Sequence, residues 1–147
     1  MISICRCFEW DMGHRVTNHK SLCKNLHGHR YKMYVEISGN INNKNKDPEQ
    51  GMVIDFGRIK EIVSKDIVDK YDHSFMYWSK DEVIAKFACN NEGLRFIRVP
   101  FVPTVEFIVG EVARILCKRL REELPGVTLE SITLYETPNC FAKWTRD

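Results

Sequence analysis

The sequence lacks three features that would place it in a specialised class of protein. No stretch of the 147 residues approaches the roughly 20 consecutive apolar residues of a transmembrane helix, so no membrane partner is expected. Lysine and arginine (22) barely exceed aspartate and glutamate (20), and a net charge of +2 argues against a nucleic-acid partner. Residues 1–6 contain no basic segment followed by an apolar one, so no secretory signal is expected.

The six cysteines show no C-x-x-C pair, the spacing typical of zinc ribbons and thioredoxin-like motifs. A chain of this length can also bury enough surface to fold without disulfides. We therefore expect free thiols in a reduced, cytoplasmic protein. The length and the ordinary globular composition predict a single domain over residues 1–147.

Hydrophobic periodicity predicts an α+β fold. Residues 2–14 and 27–39 alternate with a period of two, which predicts two strands joined by a polar loop. Long amphipathic helices are expected to begin after Asp55 and after Pro103, and residues 127–136 form a later strand. The prediction is an antiparallel sheet of about four strands with two long helices on one face. A short helix is expected at residues 80–89 and a short extended segment at residues 94–99. The chain then ends in one or two strands, the second of them at residues 141–144.

Three histidines are placed where two predicted strands can bring their imidazole rings together. His27 and His29 are two residues apart on one strand, so their side chains project from the same face. His14 ends the preceding strand and lies opposite them if the strands pair antiparallel. Three neutral imidazoles suit a catalytic Zn²⁺, which keeps a fourth position for water or substrate. Unrelated polar histidines at a strand edge are the alternative.

Cys23 lies four residues before His27 in the polar loop, near Lys20 and Lys24. Positive charge and a nearby metal favour the thiolate form of such a cysteine at neutral pH. Three roles stay open from the residues alone: a fourth zinc ligand, a base or nucleophile, or an inert thiol. A sulfur bound to the zinc would close the site to substrate.

Asp72 and His73 follow the first long helix, where a loop can project side chains. A histidine with a pKa of about 6.5 can shuttle protons when a carboxylate orients it. Adjacent residues on regular structure diverge, so a direct hydrogen bond between the two is not assured by sequence. A polar helix end is the alternative.

Three further residues are candidates for ligand contact. Glu136 is in register with Ile132 and Leu134, which places a carboxylate inward at a strand end, where it needs a donor. The donor can be an arginine or the planar N–H fork of a pterin or guanine ring. Thr104 and Glu106 either line a ligand pocket or only begin the second long helix.

Basic residues dominate the segment around the histidines. No acidic residue occurs between Asp11 and Glu36, whereas five basic residues do: Arg15, Lys20, Lys24, Arg30 and Lys32. A local cationic zone fits a phosphate-bearing substrate, with a merely solvated surface as the alternative.

Taken together, these residues resemble the 6-pyruvoyl-tetrahydropterin synthase and QueD family, in family order and over nearly the whole chain. The matching segments are Met12-Gly13-His14-Arg15, Cys23-x-x-x-His27-Gly28-His29, Gly51-Met52-Val53-Ile54-Asp55-Phe56, Asp72-His73, Pro103-Thr104-Val105-Glu106 and Glu136-Thr137. The short Cys-x-x-x-His spacing resembles the carboxytetrahydropterin synthase branch, because the pyruvoyl branch usually has a longer gap. A folate-synthesis branch carries glutamate in place of Cys23 and is disfavoured.

The resemblance implies the tunnelling fold (T-fold), in which subunits join their sheets into a barrel and two trimers stack into a homohexamer. Active sites in that family lie between subunits. Asp72 and His73 would then approach Cys23 from a neighbouring chain. No role is inferred for residues 77–99.

The activity that the resemblance implies is that of a zinc-dependent carbon–carbon lyase. It converts 7,8-dihydroneopterin triphosphate to 6-carboxytetrahydropterin, with release of acetaldehyde and triphosphate, toward 7-deazaguanines such as queuosine. The resemblance implies that His14, His27 and His29 bind Zn²⁺. Cys23 and His73 would transfer protons, with Asp72 orienting His73. Glu136 would anchor the pterin or relay protons, and Thr104 and Glu106 are further candidates for substrate binding. The alternatives are the pyruvoyl-forming reaction on the same substrate and a non-catalytic zinc- or nucleotide-binding module.

Overall fold

The structure is a computed structural model that describes residues 1–147, and one six-stranded sheet runs through it. The strand order is β4-β3-β1-β2-β5-β6. The strands are β1 (Ile2–His14), β2 (His27–Gly39), β3 (Ser74–Trp78), β4 (Phe96–Val99), β5 (Val127–Thr137) and β6 (Cys140–Thr145). The helices are α1 (Phe56–Val63), α2 (Asp69–Tyr71), α3 (Glu82–Cys89) and α4 (Val105–Glu123), and a π-helical segment, Ser64–Val68, joins α1 to α2.

The α+β class and both long helices are confirmed, whereas the predicted sheet is wrong in two respects. It has six strands rather than about four, and it is mixed rather than antiparallel, because β3 runs parallel to both β1 and β4. The strand β3 was missed because its sequence, Ser74-Phe75-Met76-Tyr77-Trp78, shows no alternation of polar and apolar residues. Its aromatic content was the available signal, since aromatic residues favour strands.

The hairpin of β1 and β2 is the part of the sheet that positions the histidines. The two strands pair antiparallel along all thirteen residues, from Ile2 opposite Gly39 to His14 opposite His27. Near the end joined by the connecting loop, Gly13 lies opposite Gly28, and a Cβ on Gly28 would stand 3.1 Å from the carbonyl oxygen of Met12. Glycine therefore allows the close backbone approach beside the histidines.

One hydrophobic cluster of 26 buried residues fills the space between the sheet and the helices. The inward face of the β1–β2 hairpin carries Trp10 and Tyr31, whose rings stack with centroids 5.7 Å apart. The apolar sides of α1 and α4 cover this face, whereas Phe56, the first residue of α1, is 47% exposed. His14, only 1% exposed, lies where this core ends. No helix combines the length and the apolar character needed to cross a membrane.

Candidate functional site

The structure brings the three predicted histidines together at one end of the β1–β2 hairpin. Their candidate ligand nitrogens all lie within 4.8 Å of one another. The ring centroids of His14 and His27 are 4.6 Å apart, and those of His27 and His29 are 5.0 Å apart. The sequence-based pairing of these strands is thereby confirmed, and the three side chains form a set that a single ion could bridge.

Backbone carbonyl groups orient two of the rings. The Nδ1 atom of His14 lies 2.7 Å from the carbonyl oxygen of Pro103, and Nδ1 of His27 lies 2.7 Å from that of Asn25. A carbonyl oxygen only accepts, so each Nδ1 carries the hydrogen and donates it. In the neutral tautomer each Nε2 then presents a lone pair, which is the arrangement found behind metal-bound histidines.

The carboxylate of Glu136 reaches the same point. Its Oε1 atom lies 3.3 Å from Nε2 of His14 and 3.8 Å from Nε2 of His29. The Nε2 atom of His14 is nevertheless buried without a hydrogen-bond partner. Two acceptor atoms that face each other at this distance repel unless a proton or a cation lies between them. The donor set of three imidazoles with an adjacent carboxylate therefore fits a divalent transition-metal ion.

Burial sets the charge of His14 and His29. Loss of solvent lowers the pKa of His14 to about 4 and also lowers the pKa of His29. Both rings are consequently neutral near pH 7, and neutral imidazole is the form that binds metal. Burial raises the pKa of Glu136, and the nearby carboxylate of Glu106 raises it further.

A pH-dependent loss of stability follows for the metal-free protein. The pKa of His14 is about 4 when folded and 6.5 in its ordinary environment, so the unfolded chain binds more protons between these values. The unfolding free energy is therefore expected to fall by about 3 kcal/mol as the pH drops from 7 to 4. Glu136, with its raised pKa, makes the unfolding free energy change with pH in the opposite direction. The measurement therefore compares the pH dependence of His14→Gln with that of the unchanged chain, by chemical denaturation in the presence of a chelator. The unfolding free energy of His14→Gln is expected to depend less on pH. An equal pH dependence in the two proteins would contradict the lowered pKa of His14.

Cys23 lies beside the histidines in sequence but is not a member of their ligand group. It occupies a single 3₁₀ turn, Leu22–Lys24. Its side chain is exposed, and its thiol is free like those of the other cysteines. Its carbonyl oxygen accepts a hydrogen bond from the backbone N–H of Val16 at 2.8 Å. The geometry therefore favours a thiol outside the metal coordination sphere.

Asp72 and His73 interact directly, although the sequence did not assure it. Nδ1 of His73 lies 2.9 Å from Oδ2 of Asp72, and His73 adopts a left-handed backbone (φ 55°) that turns the adjacent side chains together. Asp72 also accepts a hydrogen bond from the backbone N–H of Asp11, which lowers the pKa of its carboxyl. His73 is outside the histidine ligand group, but it lines a shallow depression of about 440 Å³ together with His29.

The residues predicted to hold a ligand ring separate into two groups. Glu136 and His29 line a cleft of about 590 Å³ that opens where β2 and β5 part, beyond the last pair Lys32–Tyr135. Thr104 caps α4, with its Oγ1 accepting from the N–H of Phe107 at 3.5 Å, and it does not line this cleft. Glu106 begins α4 and is close enough to Glu136 to raise its pKa.

The predicted cationic zone is partly neutralised by ion pairs. Arg15 makes a two-pronged hydrogen bond to Asp81, and Arg30 pairs with Asp11 at 3.0 Å. Sequence reasoning missed Asp81, which is only 2% exposed, because a single aspartate before a short helix gives no sign of a distant partner. It also missed Tyr31, whose hydroxyl is buried without a hydrogen-bond partner.

The chain is similar to known proteins over nearly its whole length. The family model for 6-pyruvoyl tetrahydropterin synthase matches residues 3–147. The chain is 38% identical over 146 residues to the 6-carboxy-5,6,7,8-tetrahydropterin synthase of Haemophilus influenzae, covering 98% of this chain and 99% of that protein. It is 35% identical over 143 residues to the protein of the same name from Rickettsia conorii, covering 97% and 99%.

Solved structures show the same fold at low sequence identity. An uncharacterized protein of Wolinella succinogenes superposes with a TM-score of 0.79 at 21% identity, covering 99% of this chain and 98% of that chain. The 6-pyruvoyl tetrahydropterin synthase of Caenorhabditis elegans superposes with a TM-score of 0.67 at 22% identity, covering 99% and 96%. The predicted T-fold is thereby confirmed. With the family model and the near full-length relatives, these matches show that the chain belongs to the 6-pyruvoyl tetrahydropterin synthase family of enzymes.

Proposed function

We propose that this enzyme is a zinc-dependent 6-carboxy-5,6,7,8-tetrahydropterin synthase. Its substrates would be 7,8-dihydroneopterin triphosphate and one water, and its products 6-carboxytetrahydropterin, acetaldehyde and triphosphate. The observation that carries the proposal is the convergence of three imidazoles with Cys23 outside the ligand group. Relatives with 38% and 35% identity bear the name of this activity.

The three histidines would hold the metal through Nε2 in at least His14 and His27, whose Nδ1 atoms point to carbonyl oxygens. Imidazole ligands suit Zn²⁺, and three of them leave a coordination position open. When bound, zinc would supply Lewis acidity that makes the side-chain hydroxyls of the substrate more acidic. The neutral state of His14, with its hydrogen on Nδ1, means that no proton on Nε2 competes with the metal near pH 7.

Proton transfer would fall to residues around this centre. Cys23, exposed and outside the ligand group, would act as the base that removes a proton from the substrate side chain. His73 would be the second acid–base group, with its imidazole oriented by Asp72 at 2.9 Å. In the assembly that we propose, this pair serves the site of a neighbouring chain.

Glu136 would anchor the pterin ring. Its carboxylate lines the cleft between β2 and β5 and has no arginine partner, so it can accept the N–H fork of the aminopyrimidinone edge. Glu106 and Thr104, at the start of α4, would complete the binding region beside it. The same carboxylate could join the proton relay, because it also faces the histidines.

Replacing Glu136 by glutamine is expected to weaken pterin binding by about 10- to 100-fold, because hydrogen bonds to a charged group contribute about 1.5–3 kcal/mol. Zinc content should stay unchanged. The dissociation constant of a dihydropterin, measured by fluorescence titration, checks this result. Glu130→Gln is the matched control, since Glu130 lies on the same strand but bonds to Ser38 away from the cleft. An unchanged pterin affinity in Glu136→Gln would exclude the anchoring role.

We propose a homohexamer built as a dimer of trimers, as the family resemblance implies, and the exposed apolar surface near the site supports a contact between subunits there. A cleft of about 630 Å³ beside His27 and His73 is lined by seven hydrophobic residues, and Leu26 and Val83 there are 65% and 67% exposed. Apolar surface rimmed by polar residues is a common feature of protein–protein contacts. Light scattering after size-exclusion chromatography should show six chains of 17.3 kDa per particle. A monomer that retains full activity would contradict active sites shared between subunits.

Product analysis is the experiment that tests the function. The zinc-replete protein is incubated anaerobically with 7,8-dihydroneopterin triphosphate, and the products are identified by mass spectrometry. Release of acetaldehyde with one equivalent of triphosphate is expected. A pyruvoyl pterin without acetaldehyde would assign the protein to the pyruvoyl branch, and an unchanged substrate would favour a non-catalytic binding module. Because the proposed base is a thiol, which the cytoplasm keeps reduced, we also propose a cytoplasmic enzyme, whose product enters queuosine or another 7-deazaguanine pathway.

A further inference from the structure

Asp81 is the most buried carboxylate of the chain, and the proposed chemistry makes no use of it. Its side chain is 1% exposed, and it immediately precedes α3 in the segment for which the sequence indicated no role. A buried carboxylate is costly unless charged or polar partners surround it. Its partners therefore indicate why the chain keeps a charge in this position.

Most of those partners come from the loop that follows β1. The Nε and Nη2 atoms of Arg15 donate to the two carboxylate oxygens of Asp81 at 2.6 and 2.8 Å. The hydroxyl of Thr17 donates to Oδ2 at 3.1 Å, and the backbone N–H of Ile84 donates to Oδ1 at 3.3 Å. Burial alone would raise the pKa of Asp81, but these bonds bring it below its ordinary value. The carboxyl is therefore ionised and holds Arg15 in one orientation.

The remaining arm of Arg15 reaches the turn that carries Cys23. Its Nη1 atom donates to the carbonyl oxygen of Lys24 at 3.2 Å. The next residue, Val16, donates its backbone N–H to the carbonyl oxygen of Cys23 at 2.8 Å. The guanidinium thus joins Asp81 on one side to the Cys23 turn on the other.

The turn itself has little else to hold it. None of the residues of Leu22–Lys24 is buried, and Leu22 is 78% exposed. An exposed single turn without core contacts is expected to open easily. Its position therefore depends on hydrogen bonds from its neighbours.

We propose that Asp81 and Arg15 are positioning residues that fix the Cys23 turn relative to the three histidines. The catalytic consequence rests on the proposed function, because it takes Cys23 as the base. The structural consequence does not: without the Arg15–Asp81 pair, the turn should open more often whatever reaction the enzyme performs. The segment around α3 then has a defined task, which is to supply the carboxylate.

Two variants test the proposal. Asp81→Asn removes the charge that orients the guanidinium. Arg15→Lys keeps a positive charge next to Asp81 but loses the hydrogen bond to Lys24. A single ammonium group does not have the separate nitrogens with which a guanidinium bonds to both partners. If Asp81→Asn fails to fold, Arg15→Lys still gives the answer.

A second arginine–aspartate pair provides the matched control. Nε of Arg119 donates to Oδ2 of Asp66 at 2.6 Å, and Asp66 is only 8% exposed, but this pair joins α4 to the π-helical segment. Asp66→Asn and Arg119→Lys should lower thermal stability to a similar degree. They should leave the Cys23 turn and its chemistry unchanged.

The readouts are amide hydrogen exchange of residues 16–25, zinc content, and KM and kcat. In Asp81→Asn and Arg15→Lys, exchange in this segment is expected to accelerate about tenfold or more while peptides of β5 and β6 stay unchanged. A misplaced catalytic group should lower kcat at least about tenfold, with KM and zinc content within about twofold. The control variants should show neither effect.

Unchanged exchange in residues 16–25 would overturn the proposal, and so would an equal loss of kcat in the Arg119–Asp66 controls. Faster exchange without loss of kcat would overturn the link to catalysis. If the unchanged enzyme releases no acetaldehyde, the proposed function fails, whereas the exchange result still decides whether the pair holds the turn.

Discussion

Replacing Cys23 by alanine is expected to lower kcat by about 10²- to 10⁴-fold, which is the usual contribution of a positioned acid or base. Zinc content and pterin affinity should stay close to those of the unchanged enzyme. The reason is geometric: the three histidines form a ligand group to which Cys23 does not belong. Steady-state kinetics and metal analysis of the same preparation provide the measurement.

Cys140→Ala is the matched control for this substitution. Cys140 is also exposed and unpaired, but it begins β6. We expect normal zinc content and normal turnover in this variant. Loss of zinc together with Cys23 would mean that the sulfur closes the metal site, and the catalytic account would then fail.

Removal of any one imidazole should abolish both metal binding and turnover. In His29→Ala the zinc content is expected to fall from about one ion per chain to less than about one tenth, because two imidazoles alone form an incomplete site. Replacing a residue that only hydrogen-bonds to a metal ligand typically lowers metal affinity or activity by about 10- to 100-fold. Loss of a ligand itself should therefore lower activity more than about 100-fold. Elemental analysis after gel filtration, together with the acetaldehyde assay, measures both effects.

His19→Ala is the control for the histidine variants. His19 lies in the polar loop, where its Nδ1 atom accepts from the backbone N–H of Ser21 at 3.0 Å, and it is outside the ligand group. Its replacement should change neither zinc content nor turnover. Full zinc occupancy in His29→Ala would contradict the assigned metal centre.

The histidine cluster could be predicted from sequence because it depends on local rules. Alternation places His27 and His29 on one face of a strand, and the loop over residues 15–26 brings His14 opposite them in an antiparallel hairpin. The long helices were equally accessible, since Asp55 and Thr104 cap them where the sequence indicated. The family motifs then connected these positions to a known chemistry.

Features that depend on residues distant in the sequence could not be predicted from local patterns. The parallel pairing of β3 with β1 brings Ser74 beside Met12, and no local sequence pattern predicts this pairing. The carbonyl group of Pro103 that orients His14 is 89 positions away in sequence. Likewise, the Arg15–Asp81 pair joins residues 66 positions apart. Hydrogen bonds between remote segments follow from the folded topology, which periodicity alone does not determine.

X-ray absorption at the zinc edge of the resting enzyme tests the metal centre most directly. Three imidazole nitrogens should appear at about 2.0–2.1 Å, the fourth ligand should be oxygen, and no sulfur should appear at about 2.3 Å. The same spectrum is expected for Cys23→Ala. A zinc–sulfur distance in the unchanged enzyme that disappears in Cys23→Ala would contradict the account, because the cysteine would then be a metal ligand rather than a base.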